Sequence, residues 1–585
     1  MIVDEDALRS LSVIDPSKGN KKSSRLTLYK MLSKTHSKIG ADTLNNYIFR
    51  PLNNIEKIKK RHDSVETILG LLEISNQDNE IGLIANSLKN LGNVYHIVSQ
   101  MKLGNLKPSI WKQLKNYLVN STKISQYISG SDRLKHADVF QRFTNIFVST
   151  SAVELLTSLE TYLDFVTDPK TVSIQKGVHS ELDKYRETYE ELESILQSVS
   201  TEISQIINQD VNIAYIPQLG YLVIVDVQAN VTDIEEEWNE LFRTSTTIYY
   251  KNKRMEAMDD YFGDIYSLIR DAEVEVLYAL KDKVLMQQEM MVASYESLGE
   301  IDVLITFAKL SHSYCFTKPE MVVEPIFQVK DCRHPLFLDD HISNDIEITK
   351  EKVMVLTGPN YSGKSSLLVQ VGLITFLSHI GCFVPAIGKI GITDRILTRI
   401  NTRESMTKLQ STFMADAQQM SRCLTRSTPN SLILIDEFGK GTDVYDGPAL
   451  LASIIKYLSN MGQSSARTIV VTHFIEIFND NLITFPNPIK LSHMQFLVNE
   501  SENKEIAYLY KIGSGISTES FGIYCAKRCG IQEDIITRAT QIIQMVKENV
   551  DLTDMISETS VREKEILAKA EKVVKTVLKL DLDST

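Results

Sequence analysis

Gly358-Pro359-Asn360-Tyr361-Ser362-Gly363-Lys364-Ser365 decides the fold. It fits G-x-x-x-x-G-K-[ST], a phosphate-binding loop that needs a strand before it and a helix after it. Residues 353–356, Val-Met-Val-Leu, predict a buried strand, and residues 367–377 predict a helix. The two glycines let backbone N–H groups turn inward on an anion, and the helix start adds its dipole. In this loop Lys364 reaches the β- and γ-phosphates and Ser365 ligates Mg²⁺, with Ser366 extending the cradle. The expected ligands are a nucleoside triphosphate and Mg²⁺.

A second half of the site lies downstream. Leu432-Ile433-Leu434-Ile435-Asp436-Glu437 is an apolar strand ending in two carboxylates. Asp436 is placed to hold the metal through water. Glu437 is placed to orient or polarise an attacking water. A hydrolase needs both roles, whereas a nucleotide-binding module needs only the first. His473 ends a third apolar run, residues 468–472, and is placed like a γ-phosphate sensor. Short apolar runs bounded by polar loops predict a mostly parallel sheet with helices on both faces, spanning residues 311–585.

Length and composition frame this domain. A chain of 585 residues suggests three or four domains. The net charge of −12 excludes a general electrostatic sponge for nucleic acid. Six cysteines form no C-x-x-C pair, so neither zinc nor a disulfide framework is expected. Reduced thiols fit a cytosolic or nuclear protein. Met1-Ile2-Val3-Asp4-Glu5-Asp6 carries no apolar h-region. No run of 18 apolar residues predicts a membrane span.

Residues 1 to about 310 read differently, as long amphipathic helices. Helical spacing covers 55–72, 153–165, 180–206 and 255–291, and the last two exceed the usual globular length. Residues 211–225, alternating and then β-branched around Pro217-Gln218-Leu219-Gly220, predict a β-hairpin. Two long helices are thus expected to flank a small β-containing tip. The charged segment 551–585 reads as a solvated helix or tail.

Asp436-Glu437-Phe438-Gly439-Lys440-Gly441-Thr442-Asp443-Val444-Tyr445-Asp446-Gly447 resembles the signature of the MutS family of DNA-repair and recombination ATPases. Gly358-Pro359-Asn360, Gly381-Cys382-Phe383-Val384-Pro385-Ala386, Ser411-Thr412-Phe413-Met414, Thr472-His473-Phe474 and Ser520-Phe521-Gly522-Ile523 continue the match in order. Phe438, Lys440 and the Tyr361-Ser362 filling of the loop look most like the meiotic crossover subgroup.

The resemblance implies a helical core and lever at 1–186, a clamp at 187–250 and returning lever helices at 251–310. It implies an ATPase domain at 311–585, with a helix-turn-helix for subunit contact at about 515–548. It further implies composite ATP sites, in which Ser411 reaches the partner's nucleotide, Asn360 positions the water, and His341 and Tyr510 sandwich the adenine. The implied partners are a second MutS homologue, of the homologue-four type, and double-stranded or branched DNA in the nucleus, with no membrane. The implied function is an ATP-dependent clamp that stabilises Holliday junctions for meiotic crossing-over.

Nothing resembles the family's mismatch-reading domain with its Phe-x-Glu wedge, so either that domain is absent or this is part of a longer protein. A mismatch-repair homologue lacking its front end is therefore the second reading. An ABC- or SMC-type ATPase would need an L-S-G-G-Q-like signature where Gln410-Ser411-Thr412-Phe413-Met414 stands. One departure stands out: residues 187–242 contain no Lys or Arg, although phosphate contacts normally come from basic side chains.

Overall fold

The computed structural model describes residues 1–15, 26–74, 80–149, 152–165, 173–227, 238–337, 342–400, 412–478, 484–498, 506–517, 522–547 and 561–577. The strand Val353–Thr357 is buried at every position and leads through the phosphate loop into the helix Lys364–Ile380. Five consecutive apolar or β-branched residues suit a strand covered on both faces.

That strand is central in a seven-stranded sheet. The order runs Ile2–Val3, Arg395–Arg399, Leu432–Asp436, Arg467–Val471, Val353–Thr357, Lys490–Val498, Ile506–Ser514. Val355 pairs in parallel with Val470 on one side and Leu491 on the other. Leu434 likewise faces Ile469 in parallel, while Met494 and Ile512 meet in the antiparallel pair at the far edge. The order places the ends of Val353–Thr357, Leu432–Asp436 and Arg467–Val471 side by side, where the three sequence motifs begin. A core of Val355, Ile433, Ile435 and Val470 packs on Leu451, Ile455 and Leu458 of the helix Asp446–Asn460. Burying each such side chain contributes about 1.5–3 kcal/mol.

The helical half contains the 28-residue helix Ser180–Ile207. The single helix expected over 255–291 is instead three: Lys253–Phe262, Ile265–Met286 and Gln288–Tyr314. Gly263, at φ 54°, caps the first, and the Asp264 side chain accepts from Ser267 N–H to start the second. Only glycine takes that backbone conformation without cost, so the break is local chemistry that periodicity hides. The third helix is buried on nearly every side, as its apolar sequence from Val303 to Ala308 requires.

Val211–Ile216 and Gly220–Asp226 form the expected antiparallel hairpin, closed where Leu219 N–H donates to Ile216 O at 3.0 Å. Thr247–Lys251 and Asn239–Arg243 complete a four-stranded antiparallel sheet. Its core joins Tyr221, Val223 and Val225 to Leu192, Val199 and Ile203 of the long helix.

Two compact units divide the chain. One comprises Met1–Ile2, Val13–Val323 and Ile374–Ile392; the other comprises Val3–Ser12, Glu324–Leu373 and Thr393–Thr585. Within the second, Ser10 Oγ lies 3.1 Å from Thr398 Oγ1. A Cβ on Gly372 would stand 2.5 Å from Leu11 Cδ2, so only glycine admits the N-terminal segment there.

Candidate active site

Gly358 and Gly363 adopt φ 144° and 94°, which turns the loop back on itself. Lys364 Nζ donates to Gly358 O and Pro359 O, both at 2.7 Å. Ser362 Oγ donates to Pro359 O at 2.8 Å and is buried. The lysine is thus folded over its own loop. Burial pulls its pKa down to about 8, against the opposing pull of Glu437 and Asp436. An anionic phosphate would compensate that buried cation. Asn360 and Ser365 are exposed, Ser366 is half-buried, and Tyr361 is 80% exposed at the crown.

Asp436 ends the strand Leu432–Asp436 and is buried. Burial raises its pKa, opposed first by a hydrogen bond with the Ser365 side chain. Its Oδ1 is buried with no hydrogen-bond partner among the described residues. An orphaned carboxylate oxygen next to a hydroxyl is the donor set that a hard divalent cation takes, so Asp436 and Ser365 fit Mg²⁺.

Glu437 follows with φ 50°, a left-handed conformation uncommon outside glycine, and its N–H donates to Val471 O at 2.9 Å. Its carboxylate is held from both sides. Oε1 bonds His473 Nε2, and Oε2 accepts from Lys440 Nζ at 2.5 Å. Burial pushes its pKa up, but the bonds and charges of His473 and Lys440 outweigh that and hold it at about 2. His473 therefore meets the proposed water-activating carboxylate directly.

Tyr510, at φ 53°, lies beside the phosphate loop: a Cβ on Gly363 would stand 3.2 Å from its Cδ1. Its carbonyl accepts from Asn344 Nδ2 at 2.9 Å. The geometry thus gathers Gly358, Pro359, Gly363, Lys364, Ser365, Asp436, Glu437, His473 and Tyr510. His341 and Ser411 lie outside the described residues.

Three residues escaped the sequence reading. Arg399 is almost fully buried; its Nη1 donates to Asp436 O at 2.6 Å and its Nη2 pairs with Asp416. It ties the strand that ends in Asp436 to the helix Thr412–Arg426. Lys440, noted only as a subgroup marker, is the third. The signal for Arg399 was a charge at the end of the apolar run Ile396-Leu397-Thr398.

Two family models match the chain: MutS domain V over residues 354–547 and MutS domain III over residues 6–308. The chain belongs to the MutS family. It is similar to MutS protein homolog 5 of Saccharomyces cerevisiae, at 33% identity over all of this chain and 71% of that one. MutS protein homolog 5 of Caenorhabditis elegans is 27% identical over 95% of this chain and 41% of its own length. DNA mismatch repair protein MutS of Aquifex pyrophilus is 27% identical over the whole chain and 67% of its own. This MutS chain therefore carries the lever and ATPase domains of a MutS-type DNA-binding ATPase.

Proposed function

We propose that this chain is the ATP-switched clamp subunit of a MutS-type heterodimer that binds and stabilises branched recombination intermediates and so promotes meiotic crossing-over in the nucleus. The observation that carries the proposal is the convergence of Lys364, Ser365, Asp436 and Glu437 on one phosphate loop, in a chain similar throughout to MutS protein homolog 5 of yeast.

The loop amides and Lys364 bind the phosphates, the lysine exchanging its own carbonyls for phosphate oxygens. A Mg²⁺ on Ser365 and Asp436 would draw charge from the phosphates as the terminal bond breaks. Glu437 orients the attacking water through its carboxylate, with Asn360 as second contact and His473 reporting the γ-phosphate. Tyr510 stacks on the adenine in this reading, and the resemblance to the MutS family suggests His341 for the opposite ring and Ser411 for reaching the partner's nucleotide. Binding and turnover then switch the dimer between states of different grip on DNA.

The four-stranded sheet beyond the helix Ser180–Ile207 is the clamp in this reading. Its neighbourhood offers DNA little charge. Arg243 is held in a fork by Glu240 at 2.7 and 2.6 Å, Lys251 pairs with Asp259, and Arg254 pairs with Glu202 at 2.6 Å. Enclosure, with contacts supplied by a second MutS homologue of the homologue-four type, accounts for holding DNA without a basic tip.

Two measurements test the proposal. Lys364→Ala abolishes ATP binding, whereas Glu437→Ala keeps binding and loses turnover by on the order of a hundredfold; unchanged turnover in Glu437→Ala removes its assigned role. The reconstituted heterodimer is then titrated on a four-way junction, a plain duplex and a mismatched duplex. Preference for the junction supports the recombination reading, preference for the mismatch supports repair, and equal binding to all three sinks the branched-DNA assignment.

A further inference from the structure

Glu437 is useful only if its carboxylate is aimed, and its neighbours show what aims it. Its backbone is fixed at φ 50° by the N–H bond to Val471 O. That leaves the side chain to be placed by its two partners, His473 on Oε1 and Lys440 on Oε2.

Lys440 reaches Glu437 because the loop between them is forced back. Gly439 takes φ 94°, and a Cβ there would stand 2.9 Å from Gly447 Cα. A Cβ on Gly447 would stand 2.5 Å from Gly439 O, so two glycines lie backbone to backbone. Asp443 completes the fold: its carboxylate accepts from Tyr445 N–H at 3.0 Å and its carbonyl accepts from Gly447 N–H at 3.2 Å. The result anchors the loop to the start of the helix Asp446–Asn460 and returns Lys440 Nζ to the carboxylate three residues earlier.

We infer that Lys440 is a positioning residue for ATP hydrolysis, holding the Glu437 carboxylate in a fixed orientation opposite His473 through its contact with Oε2. The inference rests on the assignment of Glu437 as the residue that orients water. Lys440 touches neither phosphate nor water in this role; it acts through Glu437. A lysine with this job is a single releasable tether on an exposed loop, while His473 lies two residues past the strand Arg467–Val471. Loss of the tether leaves the carboxylate pivoting about His473, and misplacement of this kind costs rate rather than affinity.

The test uses the full chain with its partner subunit, with Lys440→Met, Lys440→Arg and Glu437→Gln made in parallel. Steady-state ATP turnover gives kcat and KM, equilibrium binding of a fluorescent ATP analogue gives affinity, and thermal unfolding reports folding. The expected result is a kcat for Lys440→Met lower by about tenfold, with KM and analogue affinity within about twofold and an unchanged thermal midpoint. Lys440→Arg, which can still donate to Oε2, recovers most of the rate. A kcat of Lys440→Met equal to wild type overturns the inference. So does a raised KM with kcat preserved, which would place Lys440 on the phosphates. If Glu437→Gln turns over normally, the assignment beneath the inference fails and takes it along; if Glu437→Gln is dead and Lys440→Met is normal, only the inference fails.

Discussion

His62 shows how one buried side chain sets a pH limit. It is 1% exposed on the helix Ile55–Leu72, edge-on to Phe383 at 6.1 Å between ring centroids, and its Nε2 has no partner among the described residues. Burial lowers its pKa from 6.5 to about 4, partly offset by backbone hydrogen bonding at Cys382. Between those values the unfolded chain takes up a proton that the folded chain refuses. Stability is therefore complete above about pH 6.5 and falls as the pH drops towards 4, by about 3 kcal/mol from this group. The thermal midpoint should decline through that window, and His62→Leu should flatten the decline; an identical slope in the variant would exonerate His62. At this scale the loop and strand that frame the candidate site were largely legible. Lys364, Ser365, Asp436 and Glu437 lie in two contiguous runs whose local sequence dictates loop and strand. Arg399 and Lys440 were not legible, because their roles exist only once Arg399 meets Asp416 across 17 residues and Gly439 meets Gly447. His341 and Ser411 fall outside the described residues.

The helix Gln288–Tyr314 shows the same lesson among elements. Asp302 on it is fully buried, yet it is satisfied by Ser37 N–H at 2.7 Å, Ser37 Oγ at 2.6 Å, His36 N–H at 3.0 Å and His36 Nδ1 at 2.9 Å. One carboxylate thus holds the chain that enters the helix Lys38–Phe49, where its charge also meets the positive end of that helix. Gly40 permits the approach, since a Cβ there would stand 2.1 Å from Asp302 Oδ2. Asp302→Ala removes the shared acceptor of these half-buried donors, at an expected loss of about 3 kcal/mol. Asp302→Asn, which keeps one acceptor, should lose less. Hydrogen exchange of the amides in Lys38–Phe49 measures both, and wild-type protection in Asp302→Ala would refute the anchoring role. Sequence periodicity read the region as helical but marked neither of these two helices nor this joint, just as it ran three helices into one over 255–291. Amphipathic spacing reports the face a helix buries; a cap such as Gly263–Asp264 or a long-range acceptor such as Asp302 leaves no periodic trace.

For the whole molecule the open quantity is the electrostatic grip on DNA. The net charge is −12, residues 187–242 hold no Lys or Arg, and the nearest basic heads are paired internally. Each phosphate contact adds about −0.9 to the slope of log affinity against log salt. If this sheet is the proposed clamp, its occupied basic groups release few counterions, and junction binding by the proposed heterodimer should show a slope shallower than about −3 attributable to this subunit. The decisive variant frees the charges without adding any. Glu240→Gln with Glu202→Gln releases Arg243 and Arg254, both pairs being largely exposed and so contributing little to stability. If the four-stranded sheet faces DNA, the double variant should bind more tightly at low salt and steepen the slope by up to about −2. Binding measured from low to moderate salt on one junction decides the matter. A steeper slope puts the sheet against DNA with its native charges deliberately neutralised. An unchanged slope means the tip never approaches the phosphates, and the clamp assignment for this sheet falls with it.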